Sequence, residues 1–279
     1  MRRNQHRWIY LAMGLSVTVP FLFRLTFPMP ISEPVQKTFH QVELLAEENR
    51  QSKRKKVALL VADWEPATMA EINPQVTALL HHFMSRDIPF AILGFRPTGP
   101  GLAQELAEKA AQDWNKEYGT AWSNWGYKTQ MDTTIQSMLS DFYTVIREDI
   151  EGTPIQNVPV MARFKGMEDI GLVAEFTGSS GLLQPWVEFV HAELRTPIVH
   201  GCTGVMESPV YPLLDSGQIQ GFMGGLSGAA QYEQLVEKPG KGAEGMAAQS
   251  LAHLLVIGLI LAANVKEGVS WLRRKLWSR

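Results

Sequence analysis

The chain has 279 residues, of which 45% are apolar, so it is long enough to bury a full hydrophobic core in one or two domains. Its formal net charge of −2 argues against a nucleic-acid partner, because phosphate binding requires a basic surface and none is visible away from the chain ends. The single cysteine, Cys202, excludes an intramolecular disulfide and any metal site built from several cysteines.

The first predicted element is a membrane anchor within residues 1–28. Its apolar run, residues 8–27, is long enough to cross a hydrocarbon core of about 30 Å. Arg2, Arg3 and Arg7 precede this run, which would also suit a secretory signal peptide. No small-residue cleavage site follows, however, so we interpret the segment as an uncleaved anchor.

A polar and charged linker or stalk is predicted over residues 29–55, followed by an α/β domain over residues 56–240. Short apolar runs rich in branched residues predict strands at 56–63, 89–95, 157–164, 170–176 and 196–201. The segments between them predict helices at 73–86, 102–114, 132–149 and 181–195. This alternation predicts a mostly parallel, open sheet with helices on both faces.

An aromatic cluster lies between the second and third helices, in a segment with little periodicity. Its members are Trp114, Tyr118, Trp122, Trp125 and Tyr127. Such a cluster could line a ligand or sugar groove, form an aromatic belt at a membrane interface, or pack as a small satellite core beneath a loop.

Polar residues at the predicted strand ends are the candidate ligand-binding residues. In an open parallel sheet, the loops after the carboxyl ends of the strands line the crevice in which ligands bind. The candidates at these positions are Asp63, Glu65, Arg96, Ser179, Ser180 and His200, with Thr177, Cys202 and Thr203 beside them.

The chemistry that these residues could support is open. The sequence TGSSG at 177–181 could cap the helix after it or hold an anion at that helix's amino end. Asp63 and Glu65 could share a metal or act as an acid and a base, although no histidine-rich ligand set accompanies them. His200 and Cys202 point the same way on an extended strand. No orienting third group can be assigned from the sequence. We therefore assign no catalytic residue, and we expect no metal and no cofactor.

Five glycines occur in the segment 216–233, which we predict to be a helix. At about 100° per residue they fall on one side of that helix, opposite a bulky apolar face; they are Gly217, Gly221, Gly224, Gly225 and Gly228. Each glycine costs about 1 kcal/mol in a helix relative to alanine, so we expect another surface to pack closely on the bare side. That surface could belong to the same domain or to a neighbouring subunit. A ligand could take its place if the segment were not helical.

A second membrane helix is predicted at residues 245–265, before a basic amphipathic tail at 266–279. Basic residues flank the outer ends of both apolar segments, so the positive-inside rule places both termini in the cytoplasm and the central domain outside it. The basic residues at 52–56 oppose this topology, but they lie too far from a membrane end to be counted. His253 and Gln249 share a face of this helix, which we expect to pack on the first anchor or on another membrane protein.

Four sequence segments together resemble a family of membrane-anchored prokaryotic proteins with no assigned function. They are NWGYK at 124–128, EGTP at 151–154, the run PVYPLLDSGQIQGFMGGLSGAAQYE at 209–233, and QSLAHLL at 249–255. The resemblance covers most of residues 56–265, and the glycine-rich run is its most specific part. It implies a bacterial or archaeal membrane protein with an α/β domain, and it transfers no activity and no site residues.

These observations predict a scaffold or interaction protein of the prokaryotic cell envelope. It would sit in the cytoplasmic membrane through two spans and assemble, as a homo-oligomer or with other membrane proteins, through the glycine-faced helix and the membrane helices. The alternative is an extracytoplasmic domain that binds or hydrolyses a ligand with the polar residues at its strand ends.

Overall fold

A computed structural model describes the backbone of residues 2–277 and the side chains of residues 7–271. The chain divides into two units. One unit, residues 29–242, is an α/β fold. The other consists of the terminal segments 1–28 and 243–279, each of which contains a long helix.

The α/β unit contains a six-stranded sheet in which all strands are parallel, in the order β3-β2-β1-β4-β5-β6. The strands are β1 (Val57–Asp63), β2 (Phe90–Gly94), β3 (Trp122–Tyr127), β4 (Ile170–Thr177), β5 (Ile198–Cys202) and β6 (Gly221–Gly224). All seven residues of β1 are buried, as expected for a short apolar run covered on both faces. The predicted parallel α/β sheet is therefore confirmed, with β1, β2, β4 and β5 close to their predicted positions.

Helices cover both faces of this sheet. In chain order the helices are α1 (Arg2–Phe23), α2 (Glu33–Gln51), α3 (Met69–Ser85), α4 (Gly99–Trp114), α5 (Met131–Ser140), α6 (Phe142–Val145), α7 (Ala192–Leu194), α8 (Tyr211–Asp215), α9 (Gly225–Leu235) and α10 (Lys241–Trp277). One apolar core joins α2, α3, α4 and α9 to the sheet. A second core joins α5, α6 and a π-helical segment, Trp186–His191, to the opposite face.

The segment predicted to be a linker, residues 29–55, packs into the first of these cores. Its helix α2 buries Val35, Val42 and Leu45, and it lies against β6, β4 and α9. Polar residues on the other side of α2 give the segment its hydrophilic composition. The α/β unit therefore begins near residue 29 rather than at residue 56.

The prediction of one helix across residues 216–233 is wrong. Gly217 lies in a turn with φ +73°, residues 221–224 form the strand β6 beside β5, and α9 begins at Gly225, where φ is +56°. A Cβ atom on Gly221 would lie 2.5 Å from the backbone nitrogen of Thr38 in α2. The glycine at this position therefore permits close packing of a helix on a strand, within one unit.

Three further predictions differ from the structure. The strand expected at 157–164 is absent, and two 3-10 turns, Ile155–Asn157 and Pro159–Met161, lie across this region. The helix expected at 132–149 breaks at Asp141, whose backbone is extended. The aromatic cluster contributes the unpredicted strand β3, where Trp122 and Trp125 are buried, while Trp114 and Tyr127 are exposed.

The terminal unit contains two long helices, and one of them meets the length and composition of a membrane span. This stretch, Lys241–Trp271 of α10, contains an 18-residue window with a mean hydropathy of 2.0 and includes the predicted span at 245–265. The apolar part of α1, Arg7–Phe23, is shorter. His253 is exposed on α10. The side chains of Arg2, Arg3 and residues 272–279, on which the predicted basic flanks depend, lie outside the described residues.

We expect Gly221→Ala to lower the free energy of unfolding by about 1–3 kcal/mol, because the added methyl group would overlap α2. The matched control is Gly101→Ala, which lies in α4 with open space around it and should leave stability unchanged or slightly raised. Chemical denaturation of the detergent-solubilised full-length chain, followed by circular dichroism, measures both. Equal stability of the two variants would contradict the close packing of α2 on β6.

Candidate functional site

The candidate site lies at the carboxyl edge of the sheet. The chain builds outward from β1 through β2 to β3, and then from β4 through β5 to β6 in the other direction. The strand order therefore reverses between β1 and β4. In open parallel sheets this position leaves a crevice beyond the strand ends, where ligands typically bind.

Three ionisable side chains share one face of the sheet at this edge. Glu175 in β4 pairs with Val61 of β1 and with His200 of β5, and Asp63 lies two residues beyond Val61. Because alternate residues of a strand point to the same face, Asp63, Glu175 and His200 all lie on the face that carries the second core. The sequence indicated Asp63 and His200 as candidates, but not Glu175.

Glu175 and His200 form a hydrogen-bonded pair inside the protein. The Nδ1 atom of His200 lies 2.6 Å from Oε2 of Glu175. Both residues are almost fully buried: His200 is 3% exposed and Glu175 is 0% exposed. The other carboxylate oxygen of Glu175, Oε1, has no hydrogen-bond partner among the described residues. A buried carboxylate with a free oxygen is costly for a fold to keep, which makes this pair a candidate for function.

Asp63 joins the end of β1 to the loop after β2. Its Oδ1 atom accepts hydrogen bonds from the backbone N–H groups of Phe95 and Arg96, the latter at 3.1 Å. Burial raises the pKa of Asp63 to about 7, and the charge of Glu175 adds to the rise, whereas the two backbone hydrogen bonds and Arg96 oppose it. Oδ2 is buried and has no partner in the part of the chain that the structure describes.

Arg96 is a predicted candidate that contacts Asp63 through its backbone N–H. The residue is partly buried, and its Nε atom is enclosed without a hydrogen-bond partner among the described residues. Arg96 thus brings a positive charge and an available N–H donor to the same edge as the two carboxylates. The structure places Asp63, Arg96, Glu175 and His200 in one group.

The remaining predicted candidates lie at the surface of the same edge. Glu65 and Ser180 are exposed. The Ser179 N–H donates to Oγ1 of Thr177, whose hydroxyl donates to the Asp63 carbonyl at 3.0 Å. The next helical segment has Pro185 at its start, several residues further on, so the prediction that 177–181 caps a helix is wrong.

A second group of polar residues lies at the ends of β5 and β6. Gln75 of α3 is fully buried, and its Nε2 atom donates to the carbonyl oxygens of Cys202 and Gly225, both at 2.9 Å. Its Oε1 atom has no partner among the described residues, and the same holds for Oγ1 of Thr203. Glu71 accepts a hydrogen bond from the N–H of Gly204 at 2.8 Å.

Cys202 is placed as an inert thiol. It is buried, and burial together with the nearby acidic residue Glu207 raises the pKa of its thiol well above the ordinary value. Because only a thiolate is a competent nucleophile, this environment argues against a catalytic pair of His200 and Cys202. His200 is instead hydrogen-bonded to Glu175.

The polar atoms of the site that lack a partner among the described residues are Oδ2 of Asp63, Oε1 of Glu175 and Nε of Arg96. Within the described residues, no group of three or more His, Cys, Asp or Glu side chains could hold a metal ion. No family model, curated protein or solved structure shows a significant match to this chain. Any function assigned to the domain must therefore be argued from the side chains at the carboxyl edge of the sheet.

We expect Asp63→Asn to change how stability depends on pH. Because the folded-state pKa of Asp63, about 7, lies above the ordinary value of 3.8, the folded protein binds this proton more tightly than the unfolded chain. Asp63 thus stabilises the fold fully below about pH 4, and this stabilisation is lost as the pH rises to about 7. Relative to the natural chain, the variant should gain up to about 4 kcal/mol of stability between pH 4 and pH 8.

Denaturation of the variant and the natural chain across this pH range measures the difference directly. Asparagine can still accept the two backbone hydrogen bonds of Asp63, so the loop after β2 should remain in place. The control is Asp215→Asn, at an exposed position at the end of α8. A pH-independent difference for Asp63→Asn, parallel to that of the control, would show that Asp63 is not perturbed by burial.

Proposed function

We propose that the α/β unit binds a small polar molecule at the carboxyl edge of its sheet, beside the junction of β1 and β4. The observation that carries this proposal is the buried group Asp63, Glu175 and His200. Parallel sheets typically bind ligands at this position. Burying several ionisable groups opposes folding, so their presence together at the strand ends favours a functional role.

The polar atoms that remain free in this group define the chemistry of the ligand. Oδ2 of Asp63 and Oε1 of Glu175 are hydrogen-bond acceptors, and Nε of Arg96 is a donor; none has a partner among the described residues. A matching ligand would present N–H or O–H groups to the carboxylates and a carboxylate or hydroxyl oxygen to Arg96. Free amino acids and amino sugars carry this combination.

A hydrolytic function is the second candidate, and the pKa of Asp63 favours it. A general acid or base acts most effectively when its pKa lies near the working pH, and that of Asp63 is about 7. Asp63 would then accept a proton from the water that attacks a substrate bound beside Arg96.

We also propose that the chain is anchored in a prokaryotic cytoplasmic membrane by two spans, with both termini in the cytoplasm. The apolar length of α10 supports one span, and the basic residues in the sequence beyond both apolar segments support the topology. One observation still supports the scaffold function. Small residues recur at four-residue spacing in α10, Ala248 with Ala252 and Gly258 with Ala262, and such spacing lets another membrane helix approach closely. The helix with a glycine face, its other basis, is absent.

Ligand binding can be tested with the full-length protein in detergent and a panel of amino acids and amino sugars. We expect at least one compound to raise the melting temperature and to bind saturably in calorimetry, because binding to the native state stabilises it. Asp63→Asn should weaken that binding by about tenfold or more, equivalent to about 1.4 kcal/mol.

The exposed Asp215→Asn variant is the control for this measurement and should bind as the natural chain does. Equal affinity of the Asp63 and Asp215 variants would place the ligand elsewhere. The absence of saturable binding across the panel would contradict the ligand class proposed here.

The topology can be tested with alkaline phosphatase, which is active only outside the cytoplasm. We expect a fusion after residue 240 to be active and a fusion after residue 279 to be inactive, because α10 would cross the membrane between them. Enzyme activity in intact cells is the measurement. Equal activity of the two fusions would contradict a span at α10.

A further inference from the structure

A groove of about 510 Å³ opens at the amino edge of the sheet, opposite the candidate site. Its lining comes from the residues just before β1 and β3, from the start of β2 at Phe90, and from the 3-10 turn at Pro159–Met161 with the residues after it. Small-molecule sites commonly have volumes of about 300–1,000 Å³. The groove is therefore large enough for a ligand of moderate size.

Four cationic side chains from separate segments line this groove. They are Lys53, Lys55, Lys116 and Arg163, and the acidic residue in the lining is Asp87. Lys116 forms an ion pair with Asp87. The ammonium group of Lys55 donates to the carbonyl oxygen of Asp87 at 3.2 Å, and Arg163 donates to the carbonyl oxygen of Lys53 at 2.7 Å. The Lys53 ammonium has no partner within the described part of the chain.

The charge of the groove is therefore not neutralised by the residues that line it. One carboxylate opposes four cations, which leaves a formal excess of three positive charges in a single concave surface. A concave site focuses the field of such charges, and a multivalent anion neutralises them better than a single carboxylate does. Phosphate groups combine high charge with several acceptor oxygens, which suits a mixture of lysine and arginine.

The lining of the groove also includes apolar residues. Ile88, Phe90 and Val160 contribute to it, and the first two are almost fully buried. A ligand that fills the groove would thus place a hydrophobic or uncharged body beside these residues while its anionic group meets the cations of the lining.

We propose that this groove binds a phosphate-bearing molecule, separately from the ligand at the carboxyl edge. Lys53, Lys55 and Arg163 contact the phosphate oxygens, and Lys116 joins them from its ion pair with Asp87. The phosphate belongs either to a soluble compound or to a lipid headgroup. Because the two sites lie at opposite edges of the sheet, the failure of one proposal leaves the other unchanged.

The test uses the detergent-solubilised full-length chain and three probes. Pyrophosphate represents a soluble phosphate, dihexanoyl phosphatidic acid represents an anionic lipid, and dihexanoyl phosphatidylcholine is the lipid control without net charge. Calorimetric titrations should show saturable binding of pyrophosphate or phosphatidic acid. Lys53→Glu should weaken it about tenfold or more, since this change reverses one charge of the groove. Asp63→Asn, at the other edge, should leave it unchanged.

The control variant is Lys109→Glu, which makes the same charge change at an exposed position of α4 outside the groove. Lys53 has no partner whose loss could unfold the chain, and circular dichroism verifies the fold of each variant. If phosphatidic acid binds more tightly than pyrophosphate, the phosphate belongs to a lipid headgroup. If the two bind with similar affinities, it belongs to a soluble compound. The proposal is overturned if neither pyrophosphate nor phosphatidic acid binds, or if phosphatidylcholine binds as well as phosphatidic acid. It is also overturned if Lys53→Glu and Lys109→Glu weaken binding equally.

Discussion

The hydrogen bond between Glu175 and His200 places two ionisable side chains within a parallel sheet, where both are almost completely removed from water. Such a pair is tolerated only if the surrounding fold supplies polar partners. Asp63, at the end of β1, also requires polar partners. The backbone N–H groups of Phe95 and Arg96, in the loop after β2, donate hydrogen bonds to its carboxylate. The loop after β2 is therefore positioned by the needs of a buried charge, and the candidate site follows from that constraint.

The all-parallel sheet also explains why residues from distant parts of the chain collect at two opposite edges. Every strand runs in the same direction, so residues that follow strands collect at one edge and residues that precede them collect at the other. Asp63, Glu71 and Glu207 lie towards the carboxyl edge, whereas Lys55 and Lys116 lie towards the amino edge. The formal net charge of −2 is summed over 26 basic and 28 acidic residues of the whole chain, so it gives no sign of this arrangement. Two chemically distinct surfaces thus arise on one small domain.

The strands that could be predicted from the sequence are those buried on both faces. β1, β2, β4 and β5 are short apolar runs rich in branched residues, which is the pattern expected of strands covered on both faces. A similar run at 157–164 forms two 3-10 turns instead. β3 was missed because Ser123 and Asn124 interrupt its apolar pattern, although both are buried there. Glu175 was missed for a related reason. An acid within an apolar strand shows its role only when the register places it beside His200 and near Asp63.

The glycine-rich segment shows why periodicity alone misled the prediction. Glycines spaced by three and four residues trace one side of a helix, but the same spacing arises when a turn, a strand and a helix start each need a glycine for a separate reason. Gly221 on β6 and Gly171 on β4 both leave room for α2, against Thr38 and Leu45 respectively. Gly221 of the glycine-rich run and Gly171, fifty residues earlier, therefore contact the same helix, α2. Both glycines allow α2 to pack closely on the sheet, although the polar sequence of α2 had indicated a linker. The packing of α2 and the role of these glycines could therefore be interpreted correctly only together.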